Sequence, residues 1–377
     1  MNDAGELMKR PVRGAFLQNI AITLLGLACG CSADPEVNSA VQPEHRTAPR
    51  SEKGFIILAS QHRGAGTSIP EELKTNADAV DIVAPMWFDV TDDGAVVPAK
   101  DCSGPYTTYL EFCREHGVRL MPIVRNFLPK ALLSNAQAVK ACAENTAALA
   151  RREGFDGIVM DIEDMQPELQ PALVSLMQKL YPLLQKQGLR LCVAVNARAW
   201  GKWDYSNLAL HSDWLYVMFY DYTGPWNKSV IGPTAPIDWP ERSADIRRDL
   251  HRILAVGTPP EKILFGIPLY GDDFKLNTAG GASTITVDYL DSLLELQRRH
   301  GVQRLWDETK KCPYFDYQDG QGETHRVWYD DAESFRAKIQ LARDSKLAGI
   351  AFWSLRGTPK NVNSDFWETV KKETGGD

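Results

Sequence analysis

The sequence has little of the positive charge that a nucleic-acid-binding protein needs. Its 377 residues include 42 Lys and Arg against 49 Asp and Glu, which gives a formal net charge of −7 at pH 7. Proteins that bind a phosphate backbone neutralise it with clustered Lys and Arg side chains. We therefore expect no nucleic-acid partner.

The sequence also lacks the short motifs that hold metals and nucleotide cofactors. No two cysteines follow the CxxC spacing, and no histidines form an HExxH pair. The segment His62-Arg63-Gly64-Ala65-Gly66 has too few correctly spaced glycines for a dinucleotide-binding loop. We therefore predict a function that needs neither a metal nor a cofactor.

Cysteines are present but form no evident framework. They stand at positions 29, 31, 102, 113, 142, 192 and 312. The last five are an odd number, so at least one of them is free or bonds another chain. Cys102 and Cys113 could pair in an exported protein, whereas Cys192 lies in an apolar run and is expected in the core.

The first residues have the pattern of an export signal. Lys9 and Arg10 precede an apolar run over residues 20–28, which is shorter than the roughly 20 residues of a membrane-spanning helix. The run ends in Ala28-Cys29-Gly30-Cys31, where small residues before a cysteine resemble a bacterial lipobox. We predict a lipoprotein-type signal peptide over residues 1–31.

Cys31 is the first choice for the lipidated residue and Cys29 the second, and a plain cleaved signal peptide is the alternative. Residues 32–52 are rich in Pro, Ser, Glu and Asn, which predicts a disordered tether. The protein is then expected to be exported, to be anchored to the membrane of the bacterial cell envelope by its lipid, and to be a monomer.

From residue 54 onward, short apolar strands alternate with helical stretches. Continuous apolar runs are typical of parallel strands buried on both faces. Eight such strand–helix units favour an α/β protein with a (β/α)8 TIM barrel over residues 53–377, and an open doubly wound sheet is the alternative. The strands are predicted at 54–59, 80–88, 119–124, 157–163, 190–196, 214–220, 263–270 and 349–355.

The connection between the seventh and eighth strands is too long for a simple barrel loop. It has strand patterns at 283–287, 314–317 and 326–329, a helical pattern at 289–299, and a hairpin signal at 319–322. We predict a small α+β insertion between strands 7 and 8, at about residues 274–330, that forms one wall of a cleft above the barrel.

The fourth predicted strand carries two carboxyl groups on one face. Side chains alternate along a strand, so Val159, Asp161 and Glu163 point toward the barrel interior. Glu163 then lies at the carboxyl-terminal mouth, where barrel active sites lie. Neighbouring carboxylates repel, which raises one pKa, and a Glu that stays protonated near neutral pH suits a general acid. A salt-bridged pair at a strand end is the alternative.

These residues resemble the D-G-x-D-x-D-x-E motif of glycoside hydrolase family 18. Asp156, Gly157, Asp161 and Glu163 stand in register, whereas Val159 replaces the acidic residue of the motif that comes before Asp161. In the branch that acts on spore cortex and peptidoglycan, that position is often Asn. Val cannot hydrogen-bond Asp161, but the catalytic Glu is retained, unlike in the family's non-enzymatic lectins.

Further segments are similar to the same family. Met218, Tyr220 and Asp221 match its M-x-Y-D segment at the end of the sixth strand. Residues 265–271 and 349–355 resemble its seventh and eighth strands, and residues 327–332 resemble its spore-lysin branch. The resemblance covers residues 54–355.

The resemblance implies substrate-assisted retaining hydrolysis of an N-acetylglucosamine-containing glycan. Glu163 would act first as acid and then as base, and Asp161 would hold the N–H of the substrate acetamido group. Tyr220 and Asp221 would position that group, and Trp353 would stack under the sugar.

The remaining substrate-binding candidates are less distinctive. Asp156 and Met218 belong to the matched motifs. Trp87, Asn196 and Tyr270 lie near the carboxyl ends of predicted strands, and each has an equally good structural explanation.

Two functions follow from these patterns. The first is hydrolysis of β-1,4-linked N-acetylglucosamine polymers, either peptidoglycan or chitin. The second is carbohydrate binding by a lipoprotein with weakened or lost catalysis, which only Val159 favours. The sequence does not separate chitin from peptidoglycan.

Overall fold

The computed structural model describes residues 54–198, 201–358 and 365–375. The predicted signal peptide, its lipidated Cys31 and the predicted tether lie outside the described residues. The strands are β1 (Ile56–Gln61), β2 (Ile82–Val90), β3 (Val96–Pro98), β4 (Arg119–Leu120), β5 (Ile123–Asn126), β6 (Gly157–Ile162), β7 (Arg190–Asn196), β8 (Trp214–Met218), β9 (Ile263–Pro268), β10 (Tyr270–Leu276), β11 (Ala282–Tyr289), β12 (Leu305–Asp307), β13 (Cys312–Gln318), β14 (Thr324–Trp328) and β15 (Gly349–Trp353).

Helices follow most of the barrel strands. They are α1 (Glu71–Asn76), α2 (Thr107–His116), α3 (Lys130–Leu133), α4 (Ala136–Glu153), α5 (Gln170–Gln185), α6 (Tyr205–Leu210), α7 (Ile246–Ala255), α8 (Leu290–His300), α9 (Ala332–Asp344) and α10 (Phe366–Thr374). None of these described helices combines the length and the apolar character that crossing a membrane requires.

Parallel strands close into a barrel. The hydrogen-bonded order is β1-β15-β9-β8-β7-β6-β5-β2, and β2 pairs again with β1, with Leu58 opposite Ile82. β6 and β9 are buried along their whole length, because helices cover the outer face of the sheet and side chains fill its interior. The predicted (β/α)8 barrel is confirmed, and the open sheet is excluded.

Local sequence sets where the helices begin and end. Asn135 caps α4 by accepting hydrogen bonds from the backbone of Gln137 and Ala138, and Gly154 ends the helix in the left-handed region at φ 74°. Asp245 caps α7 and accepts a hydrogen bond from Arg248 N. This cap sets the start of α7 at residue 246.

The long connection folds as the expected α+β insertion. Its antiparallel sheet has the order β11-β10-β14-β13-β12 and carries α8. It begins at Tyr270 rather than near residue 274, because β10 starts directly after β9 and pairs with β11 from Tyr270 onward. The hairpin signal at 319–322 does join β13 and β14, with Asp319 N bonded to Glu323 O at 3.0 Å.

All five cysteines of the described residues are buried free thiols. Cys102 and Cys113 are therefore not joined, so the pairing that the sequence left open does not form. Cys192 lies within β7 and is fully buried in the core, as expected.

A buried ion pair joins α9 to the insertion. Lys338 has no exposed surface, and its ammonium donates to the carboxylate of Asp330, which is 1% exposed. The same ammonium lies 3.7 Å from the Sγ of Cys312 on β13. A charge at this depth needs its partner, because desolvation is otherwise uncompensated.

We expect Lys338→Met to lower the free energy of unfolding by about 3–5 kcal/mol, because it leaves Asp330 buried and unpaired. Urea denaturation at pH 7 measures the change. The control is Lys140→Met, which removes an exposed helical pair with Glu144 at 3.8 Å and should cost about 1 kcal/mol or less. An equal loss of unfolding free energy in the two variants would contradict the conclusion that Lys338 and Asp330 form a buried ion pair that the fold needs.

Candidate active site

Two carboxyl groups lie where β6 reaches the mouth of the barrel. Asp161 is the penultimate residue of β6 and is 7% exposed, while Glu163 follows the strand. The backbone N–H of Glu163 donates to Asn126 O at 2.9 Å, which extends the pairing with β5 past the end of the strand. Strand pairing therefore fixes both residues.

Burial shifts the protonation of both groups. It raises the pKa of Asp161 to about 6, and the positive charge of Arg125 opposes the rise. Burial also raises the pKa of Glu163 well above its usual range, and the charges of Asp161 and Asp221 raise it further. The raised pKa keeps Glu163 protonated to higher pH than an exposed Glu, which is the condition for a general acid near neutral pH.

A second group of polar residues comes from the end of β8. Tyr220 is buried, and its hydroxyl donates to the hydroxyl of Tyr216 at 3.4 Å. Asp221 follows with a left-handed backbone at φ 65°, and its N–H donates to Thr234 Oγ1 at 3.1 Å. The hydroxyl of Tyr270 donates to the Asp221 carboxylate. These contacts hold Asp221 at the mouth, where its charge acts on Glu163.

The barrel interior makes room for the aromatic part of this group. A Cβ on Gly266 of β9 would lie 2.6 Å from Val217 O and 2.7 Å from Cε2 of Tyr216. Only glycine therefore lets the Tyr216 ring lie against β9. Met218, the last residue of β8, is 8% exposed and lies on the same inward face as Tyr216.

Trp353 ends β15 at the same mouth. Its side chain is half-buried, and its ring meets the ring of His62 edge to face with centroids 6.2 Å apart. Its carbonyl accepts a hydrogen bond from Leu269 N at 2.7 Å. Trp353 therefore has a fixed backbone and a ring surface that remains accessible to a ligand.

Asn196 lies at the carboxyl end of β7. Its Oδ1 accepts a hydrogen bond from Arg198 N at 2.8 Å, so the side chain holds the loop that follows the strand. Asn196 is therefore on the rim of the site.

Two residues from the sequence analysis are not at the mouth. Asp156 precedes β6 at the opposite end of the barrel, where its Oδ2 accepts a hydrogen bond from Leu120 N at 2.9 Å. Trp87 is fully buried, stacks on Tyr106 with ring centroids 4.7 Å apart, and donates from Nε1 to Gly66 O. Neither belongs with the substrate-binding residues.

A β-bulge in β2 brings Phe88 to the same side of the strand as Trp87. The register of β2 against β5 shifts between Met86 and Phe88, so strict alternation fails there. Trp87 and Phe88 consequently both pack on the ring of Phe155, outside the barrel interior. Simple alternation along the sequence could not reveal this shift.

Arg125 is a site residue that the sequence analysis missed. It pairs in register with Asp161 across β5 and β6, it is 6% exposed, and its Nε donates to Asp89 Oδ1 at 2.7 Å. Its guanidinium also lies 2.8 Å from the Sδ of Met86. The available signal was an arginine directly after the predicted strand at 119–124, which precedes the acidic strand in the chain.

No group of three or more His, Cys, Asp or Glu side chains in residues 54–198, 201–358 and 365–375 is arranged to hold a metal ion. The chemistry that these residues themselves offer is proton transfer by Glu163, with a neighbouring carboxylate and an aromatic surface.

Comparison with known proteins agrees with this geometry. Residues 127–357 match the sequence profile of Glycosyl hydrolases family 18. The chain is 24% identical over 286 residues to the Uncharacterized glycosylase YvbX of Bacillus subtilis, and the match covers 71% of this chain and 78% of that protein. It is 28% identical over 292 residues to the Cortical fragment-lytic enzyme of the same organism, and the match covers 71% of this chain and 64% of that protein.

A solved structure shares the fold. The crystal structure of a chitinase from Chromobacterium violaceum superimposes with a TM-score of 0.72 at 24% identity, over 86% of this chain and all of that chain. At this level of identity the likeness establishes the barrel fold.

We expect Arg125→Met to raise the pKa of Asp161 further above about 6, because it removes the positive charge that favours the carboxylate. The titration midpoint of Asp161 should move upward by about one pH unit or more. Carboxyl-carbon NMR of the protein labelled at aspartate measures this midpoint.

The matched control is Arg125→Lys, which keeps the charge and should leave the midpoint close to that of the unaltered protein. An unchanged midpoint in the Met variant would mean that Arg125 serves only as the partner of Asp89.

Proposed function

Because the chain belongs to glycosyl hydrolase family 18, we propose that it hydrolyses β-1,4 bonds in N-acetylglucosamine-containing polysaccharide by substrate-assisted retaining catalysis. The observation that carries the proposal is the placement of Asp161 and Glu163 at the barrel mouth, where burial and the charge of Asp161 raise the pKa of Glu163. Family membership supports a glycosidase, and the arrangement of the site supports the mechanism.

Glu163 supplies the first proton. Its carboxyl group donates to the glycosidic oxygen as the bond to the anomeric carbon breaks, and the leaving sugar departs as an alcohol. The carbonyl oxygen of the substrate 2-acetamido group attacks the anomeric carbon from the other face, which gives a cyclic oxazolinium ion. The ionised Glu163 then takes a proton from a water molecule that opens the ring with overall retention.

Asp161 and the residues that follow β8 bind and orient the acetamido group. The Asp161 carboxylate accepts the acetamido N–H and stabilises the positive charge that develops on it, since it lies beside Glu163 on the same face of β6. Asp221, held by Tyr270, and Tyr220 position the acetamido group. Trp353 offers its ring as the floor for the sugar.

A carbohydrate-binding protein with weakened catalysis is the second candidate. Val159 favours it, because its side chain cannot hydrogen-bond Asp161, and Oδ1 of Asp161 is buried without a hydrogen-bond partner among the described residues. Turnover by the unaltered protein separates the two candidates.

Peptidoglycan and chitin are the two substrate types to compare. One relative carries the name Cortical fragment-lytic enzyme, and one protein of the same fold is a chitinase. The chain spans 64% of the first of these relatives. Products released from purified peptidoglycan and from chito-oligosaccharides, measured side by side, assign the substrate.

We expect Glu163→Gln to lower kcat by about 10²–10⁴-fold while oligosaccharide binding stays within about threefold, because the amide keeps the shape of the side chain but cannot donate the proton. Steady-state kinetics and calorimetric binding measure the two effects. Glu168→Gln, an exposed residue beyond the strand, is the control and should behave like the unaltered protein. If Glu163→Gln kept more than about a tenth of the turnover, Glu163 would be excluded as the acid.

We also propose that the protein is an exported lipoprotein, on the strength of the N-terminal sequence pattern alone, and that it is a monomer. Replacing both Cys29 and Cys31 by Ala should move the protein from the detergent phase to the aqueous phase in phase partitioning. Unaltered protein found only in the aqueous phase would favour a plain cleaved signal peptide.

A further inference from the structure

An arginine lies over an exposed tryptophan beside the acidic site. Arg198 belongs to the loop after β7 and Trp226 to the loop after β8, both at the carboxyl ends of barrel strands. The guanidinium carbon of Arg198 is 5.2 Å from the centroid of the Trp226 ring. Trp226 is 46% exposed, so the pair forms part of the accessible rim.

The backbone is shaped to hold this pair. A Cβ on Gly224, whose φ is 157°, would lie 2.1 Å from the Trp226 ring, so only glycine allows the ring to lie across the chain at this point. On the other side, Asn196 Oδ1 fixes Arg198 N at 2.8 Å, and Tyr205 OH donates to Asn196 O at 2.9 Å. Both loops are therefore anchored beneath the pair.

Arg198 keeps its charge available. It has no carboxylate within ion-pair distance among the described residues, whereas Arg125 is committed to Asp89. Its charge is close enough to Asp221 to oppose the rise in that residue's pKa, which places Arg198 at the same mouth. An arginine that stacks on an aromatic ring uses the face of its guanidinium, which leaves the N–H groups as donors for a bidentate acceptor.

The residues around Arg198 indicate which kind of substrate would need its positive charge. Asp161 and Asp221 lie at this mouth and act on Glu163 as negative charges when ionised, and such charges repel a substrate that carries carboxylates. A neutral N-acetylglucosamine polymer needs only a flat aromatic surface. A strand in which alternate sugars carry a lactyl carboxylate needs a positive charge next to the sugar that is cleaved.

We propose that Arg198, supported by Trp226, binds the lactyl carboxylate of an N-acetylmuramyl unit adjacent to the scissile bond, so that the site prefers peptidoglycan strands to chitin. This inference rests on the proposed glycosidase function. The guanidinium edge matches a carboxylate with two parallel N–H···O bonds, which lysine cannot reproduce.

The test compares two soluble substrates on the full chain: peptidoglycan glycan strands freed of their peptides, and chito-oligosaccharides of similar length. Arg198→Gln should lower the ratio of kcat/KM for the carboxylated strand to kcat/KM for the chito-oligosaccharide by about ten- to hundredfold. Converting the lactyl carboxylates to methyl esters should lower the same ratio for the unaltered protein.

Two control variants define the effect. Arg198→Lys keeps the charge and should lose less of the ratio than Arg198→Gln. Arg343→Gln removes an arginine that lies 4.6 Å over Phe55 at the opposite end of the barrel, and it should leave the ratio unchanged. A ratio in Arg198→Gln that equals that of the unaltered protein overturns the proposal.

Binding separates this inference from the proposed function. Calorimetric titration of the carboxylated strand into Glu163→Gln and into Glu163→Gln/Arg198→Gln requires no turnover. A loss of affinity of about tenfold or more in the double variant supports the carboxylate site even if no polymer is cleaved. Equal affinities overturn it even if Glu163 proves to be the acid.

Discussion

Removing water from two carboxyl groups on one strand is the constraint on which the site depends. Asp161 lies near the end of β6 and Glu163 directly follows that strand, so barrel closure removes water from both carboxyl groups, and the charge of Asp161 further opposes the ionisation of Glu163. The raised pKa values of the two carboxyl groups follow from where the groups lie and need no unusual residue type. They require a strand held rigidly between two neighbours, which the pairing of β6 with β5 and β7 provides.

The charges around the pair are arranged by strand register. Asp89, Arg125 and Asp161 come from β2, β5 and β6, which are adjacent in the barrel. Arg125 bonds Asp89 directly and acts on Asp161 through its field, so Asp161 is partly stabilised as an anion without being neutralised. The apolar Val159 occupies the position beneath, where it excludes water from the same layer.

The sequence was sufficient for the features that depend on local periodicity. The barrel strands, the order of the elements, the insertion and the inward direction of Asp161 follow from apolar runs and alternation. Features that depend on how two strands pair could not be predicted from the sequence. The bulge in β2 put Phe88 on the same side as Trp87, and the approach of Arg125 to Asp161 exists only once β5 and β6 are paired.

The direction of a parallel strand also decides which motif residues can share a site. Asp156 belongs to the same motif as Glu163, but it stands before β6 and bonds Leu120 N at the far end of the barrel. Motif membership therefore does not imply proximity. Asp221 and Tyr270, which are far apart in the sequence, meet because β8 and β9 are neighbours and both end at the mouth.

The burial of the described cysteines determines how the protein responds to reductants, oxidants and thiol-directed reagents. Burial raises the pKa of Cys113, Cys142, Cys192 and Cys312, so the reactive thiolate is scarce at physiological pH. The described cysteines contribute packing volume and no cross-links. The catalytic barrel can thus mature without an oxidising catalyst, and its activity should be indifferent to reductants and to thiol-directed reagents that reach only the native surface.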